Sequence, residues 1–129
     1  MLIGQVAKRM IDDFRKGWAL RYLREAEDEM RASQKSAQSF GLILDAARKA
    51  QAAVYYSLGD PFYIESLVHE VFHNDQNVQD PVLRCLVDIE NTLQRIENLP
   101  ESSGEEAFKD ANEVVKTAAG IVNLLVSED

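Results

Sequence analysis

A chain of 129 residues, 46% of them apolar and 28% charged, can bury one self-sufficient core and does not have the composition of a disordered segment. Its formal net charge of −8 excludes a protein that binds nucleic acid over its whole surface, because phosphate would meet repulsion almost everywhere. The single cysteine, Cys85, excludes an internal disulfide, and no apolar run reaches the roughly 20 residues that span a bilayer.

The first residues, Met1 to Arg9, lack the charged-then-apolar order and small-residue cleavage site of a signal peptide. A cytoplasmic location, with no membrane partner, is therefore the expectation. Apolar residues then recur at Ile3, Val6, Met10, Phe14, Trp18, Tyr22, Ala26 and Met30. Steps of three and four predict a first helix that runs to about Ser33. It can also bend near Gly17, where glycine costs about 1 kcal/mol relative to alanine. Arg21–Glu25 and Arg24–Asp28 are spaced to pair along it.

A polar stretch follows, in which Ser36 or Ser39 can cap a second helix. That helix carries Phe40, Ile43, Leu44, Ala47, Ala50, Val54 and Leu58 at helical spacing. The small side chains of residues 46–53 would let a neighbouring helix come close. Gly59 stands where a left-handed residue ends a helix at little cost. Val54-Tyr55-Tyr56 has strand propensity but lies inside this helical pattern and should yield to it.

Asp60-Pro61 and Asp80-Pro81 are near-duplicate start signals, the Asp capping and the Pro losing nothing at the first helical position. They predict a short third helix over about Pro61–His73 and a fourth over about Pro81–Asn98. The fourth should bury Leu83, Leu86, Val87, Ile89, Leu93 and Ile96. Leu99 to Gly104 is the clearest break, and Ser102 with Glu105, or Ser103 with Glu106, offers a capping box for a last helix. That helix carries Ala107, Ala111, Val114, Val115, Ala118, Ile121, Val122 and Leu125. No strand is evident. The fold expected is all-α: one domain over residues 1–129, an antiparallel bundle of about five helices.

One stretch has a chemical name. His69-Glu70-Val71-Phe72-His73 matches H-E-x-x-H, in which two imidazoles on one helical face bind Zn²⁺ and the Glu activates a metal-bound water. A zinc-dependent hydrolase is thus the alternative reading. Its surroundings argue against it. These are the only two histidines, so Cys85 or a carboxylate such as Glu90 would have to be the third ligand. The sheet that normally holds a peptide beside such a helix is missing too. A di-iron bundle would need Glu-x-x-His on two helices, and only Glu70-His73 supplies one. Cys85, between Leu83, Leu86 and Val87, reads as core, since nothing local would activate its thiol. No catalytic, cofactor or metal-binding residue is assigned, and no cofactor is expected.

The remaining feature is electrostatic. Lys8, Arg9, Arg15, Lys16, Arg21 and Arg24 against Asp12 and Asp13 make the first 24 residues basic. The plain reading is the solvated face of a helix. Should a nucleotide or RNA phosphate bind anywhere, Arg15, Lys16, Arg21 and Arg24 are the expected contacts.

Three stretches resemble the HEPN domain, a helical family whose name refers to nucleotide binding. Residues 18–26, Trp-Ala-Leu-Arg-Tyr-Leu-Arg-Glu-Ala, look like its first helix. Residues 46–53 are similar to its alanine-rich second helix, and residues 111–122 to its closing helix. Catalytic members are ribonucleases with an Arg four to six residues before a His. Residues 62–68 read Phe-Tyr-Ile-Glu-Ser-Leu-Val, so neither histidine has that Arg, and the resemblance implies a non-catalytic member. It also implies a homodimer, or a protein partner of the minimal nucleotidyltransferase kind. The function expected is a non-enzymatic interaction module that acts through dimerisation and protein or nucleotide binding. The wealth of aromatic residues (Trp18, Tyr22, Phe40, Tyr55, Tyr56, Phe62, Tyr63 and Phe72) agrees, being more than a small bundle needs inside.

Overall fold

The computed structural model describes residues 2–35, 40–74 and 78–126, with side chains from Asp13 onward. Five helices follow one another: α1 (Leu2–Ser33), α2 (Phe40–Leu58), α3 (Pro61–Asn74), α4 (Pro81–Glu97) and α5 (Gly104–Val126). No strand occurs among the described residues, and Val54-Tyr55-Tyr56 is helical. The chain is the all-α bundle expected. Among the described residues no helix is long and apolar enough to cross a membrane.

Local signals explain most of the boundaries. Asp60 Oδ1 accepts from the Phe62 amide at 3.0 Å, and Asp80 Oδ1 accepts from the amides of Val82 and Leu83 at 2.9 and 3.1 Å. Both Asp-Pro pairs therefore start helices by capping free N–H groups. Gly59 does not take a left-handed conformation. Its amide donates to the Tyr55 carbonyl at 3.1 Å, continuing the helix, and the Asp60 cap redirects the chain at the next residue. The capping box expected before α5 does not form either. Glu101–Ser103 is a 3-10 turn closed by Ser103 N–H to Pro100 C=O at 2.9 Å, so both serines already have helical backbone. Ser36 and Ser39, the expected caps of α2, lie outside the described residues, as do the side chains of Ile3, Val6 and Met10.

Four long helices alternate in direction, and α3 lies in the connection from α2 to α4. Lys49 of α2 meets Glu25 of α1, Arg48 of α2 pairs with Glu97 of α4, and Arg95 of α4 reaches Asp110 of α5 at 3.2 Å. Helices α2 and α5 are central; α1 packs against both on one side and α4 on the other. The contacts between them are largely alanine: Ala19, Ala26, Ala46, Ala47, Ala50, Ala53, Ala107, Ala111 and Ala118 are fully buried. Such small side chains let helix axes approach to the short end of the usual 8–10 Å range. Ile43, Val54, Leu93, Ile96 and Val122 fill the space between these alanines.

The packing corrects the expected face of α1, which runs through Gly17 without a break. Ala26 and Met30 are buried as expected, whereas Ala19 and Leu23, one position round, are buried in place of Phe14, Trp18 and Tyr22. The larger rings flank the alanine seam instead. Trp18, Tyr22 and Tyr56 stack on one another with centroids 5.7–6.2 Å apart, and Phe14 is exposed. In α4, Leu86, Ile89, Leu93 and Ile96 are buried as expected, Leu83 and Val87 only partly, and Glu90 is buried among them.

Candidate functional site

Helix α3 turns its apolar side, Val68 and Val71, to the bundle and leaves His69, Glu70 and His73 exposed. The two imidazoles are neighbours, as residues four apart on a helix must be. Their Nε2 atoms lie 3.2 Å apart and their ring centroids 4.4 Å apart. The edge of His73 also meets Phe72, centroids 5.5 Å apart. Among the described residues no group of three His, Cys, Asp or Glu side chains could hold a metal ion. The third ligands considered from sequence are engaged elsewhere.

Glu90 faces α2, not α3. Gln51 Nε2 donates to its Oε1 at 2.7 Å and Gln94 Nε2 to its Oε2 at 2.7 Å. Gln51 also donates to the Tyr55 hydroxyl at 3.0 Å. Burial, with the charges of Glu90 and Glu65 behind it, raises the pKa of that phenol, so it stays protonated. These bonds make a polar network that joins α2 to α4. Its sequence signal was the position of Glu90 on the stripe, four after Leu86 and three before Leu93.

Cys85 is half-buried, and burial, followed by the charge of Asp88, pushes its pKa up. A thiol held protonated is a poor nucleophile. It lines an apolar hollow of about 280 Å³ with Leu58, Val82, Leu86, Ile121 and Leu124, where α4 begins and α5 ends. Val82 and Leu124 are 54% and 63% exposed at this hollow. Phe62 and Tyr63, at 76% and 66%, begin the helix that follows Leu58. Most of the large exposed apolar side chains thus gather toward one end of the bundle, the end where α2 stops and α4 starts.

Among the basic residues of α1, Arg21 has its partners on its own helix. Arg21 Nε pairs with Glu25 at 3.3 Å, as the spacing predicts, and its guanidinium carbon lies 5.0 Å from the Trp18 ring centroid. Asp28 pairs with Arg31, not with Arg24. The strongest charge cluster is one that the sequence did not disclose. Lys49 Nζ contacts Glu29 and lies 3.2 Å from Glu25 and 3.3 Å from Asp45. Three carboxylates around one ammonium raise the pKa of Lys49, Glu29 first among them. Burial and the bond with Asp45 raise that of Glu29, and the same bond lowers that of Asp45. The cluster ties α1 to α2.

The chain matches no family model, no curated protein and no solved structure.

Proposed function

We propose that the chain is a non-enzymatic helical interaction module that works by association through the apolar end of its bundle, with a second copy as the occupant. The carrying observation is the hollow lined by Leu58, Val82, Cys85, Leu86, Ile121 and Leu124, with exposed apolar side chains at its mouth. Among the described residues its only titratable group is a thiol whose pKa is raised. Such a surface suits the apolar side chains of a protein better than a charged substrate. A net charge of −8 on each copy favours contact at an uncharged patch over contact between acidic faces.

The resemblance to HEPN domains agrees with this reading. The stretches that carry it fall in α1, α2 and α5, which pack together, and that resemblance implies a dimer without ribonuclease chemistry. The zinc hydrolase has less support, since the exposed histidine pair lacks a third ligand among the described residues. Methyl NMR over a concentration series tests the proposal. Val82, Ile121 and Leu124 should shift or broaden as concentration rises, while Leu42, on α2's first turn, should stay put. Equal response of all four, or of none, contradicts it.

A further inference from the structure

The histidine pair unsuited to hydrolysis has a geometry of its own. An ion held at about 2.0–2.1 Å by two imidazole nitrogens sets them about 2.9 Å apart at a right angle and about 3.4 Å apart at a tetrahedral angle. The Nε2 atoms of His69 and His73 are 3.2 Å apart, between those values. Without an ion, that contact requires one ring to donate and the other to accept. With an ion, both Nε2 atoms present lone pairs, and the ring that had donated carries its proton on Nδ1 instead. Both side chains are exposed, so the change needs no repacking of the core.

The surroundings favour a cation. Helix α3 contains Glu65 and Glu70 and no Lys or Arg, so its own side-chain charges favour a cation. Glu65 stands one helical turn before His69, and Glu70 follows it directly. His73 is the penultimate residue of α3, where the negative end of the helix dipole attracts positive charge.

We propose that His69 and His73 form a two-imidazole clamp for a divalent ion of the zinc class, with water filling the other positions. It would staple the last turns of α3. Imidazole ligands select zinc, nickel or copper over magnesium, which prefers oxygen. The clamp is not a hydrolytic centre and does not depend on self-association.

The test is calorimetric titration of untagged full-length protein with Zn²⁺ alone and with Mg²⁺ alone, with the imidazole NMR signals followed during the Zn²⁺ titration. The expected result is one Zn²⁺ per chain, both imidazoles shifting together, and no response to Mg²⁺. His69→Ala and His73→Ala should each lower zinc affinity about tenfold or more with helicity unchanged, and Glu70→Gln should retain binding. Absence of zinc binding, binding that survives the double change His69→Ala, His73→Ala, or an equal response to Mg²⁺ would overturn the proposal.

Discussion

Gln51 Nε2 donates to Glu90 Oε1 across 2.7 Å, joining α2 to α4 through residues 39 apart in sequence. The carboxylate is only 8% exposed and Gln51 only 7%, so each depends on the other for the bond that water would otherwise supply. Glu90→Ala should cost about 1–3 kcal/mol, because it removes the carboxylate that accepts from the Gln51 and Gln94 amides and leaves Gln51 only the Tyr55 hydroxyl. The double change Gln51→Leu, Glu90→Leu should lie closer to the native protein than the two single changes added together. Urea unfolding of the four proteins in this cycle measures the coupling. Strict additivity would contradict it.

Lys49 holds Glu25, Glu29 and Asp45 together, and Lys49→Met should leave three carboxylates facing one another. A loss of about 1–2 kcal/mol is expected, modest because the cluster is partly open to solvent. The pKa of Lys49 is raised by folding. Its contribution is therefore complete below the ordinary lysine value of 10.5 and is lost only as pH rises through the higher folded value. The gap between the native and Lys49→Met proteins should stay level from neutral pH to about 10 and close only in stronger alkali.

Asp45 behaves in the opposite sense. Its folded pKa is lowered, first by the bond with Glu29, so its contribution is present above its ordinary value of 3.8 and fades as pH falls through the lower folded value. Asp45→Asn should therefore destabilise at pH 7 and converge on the native protein in acid. Chemical denaturation at a series of pH values measures both trends.

Gly17 sits inside α1, exposed, and a Cβ built there would meet nothing within 4 Å. Gly17→Ala should raise stability by about 0.5–1 kcal/mol, since alanine loses less backbone freedom in a helix. A thermal melt that moves down would show that α1 needs a hinge there.

The sequence disclosed much of what is set locally, though not how the chain turns at Gly59 or enters α5. Asp60-Pro61 and Asp80-Pro81 located the starts of α3 and α4, because a cap and a proline act within three residues of themselves. Apolar spacing located α2 and α5. In α1 it placed Ala26 and Met30 correctly but missed Ala19 and Leu23, because periodicity weighs size: Trp18 and Tyr22 outrank Ala19, yet only alanine fits where two helices nearly touch. The Lys49 cluster and the Gln51–Glu90 bond stayed hidden for another reason. Their partners are 20, 24 and 39 residues away, and no local pattern says which helices become neighbours. The adjacency of His69 and His73 was legible from their spacing, whereas the absence of a third ligand nearby required Glu90 and Cys85 to be placed.

The central claim is that the apolar end near Val82 and Leu124 is where the protein associates. Sedimentation equilibrium on the native protein and on the double variant Val82→Glu, Leu124→Glu tests it most directly. The native protein should be a dimer at tens of micromolar. The variant, with unchanged helical circular dichroism, should be a monomer, because each new carboxylate would have to be buried without a partner. A native monomer at that concentration, or a dimer that survives both substitutions, would contradict the account.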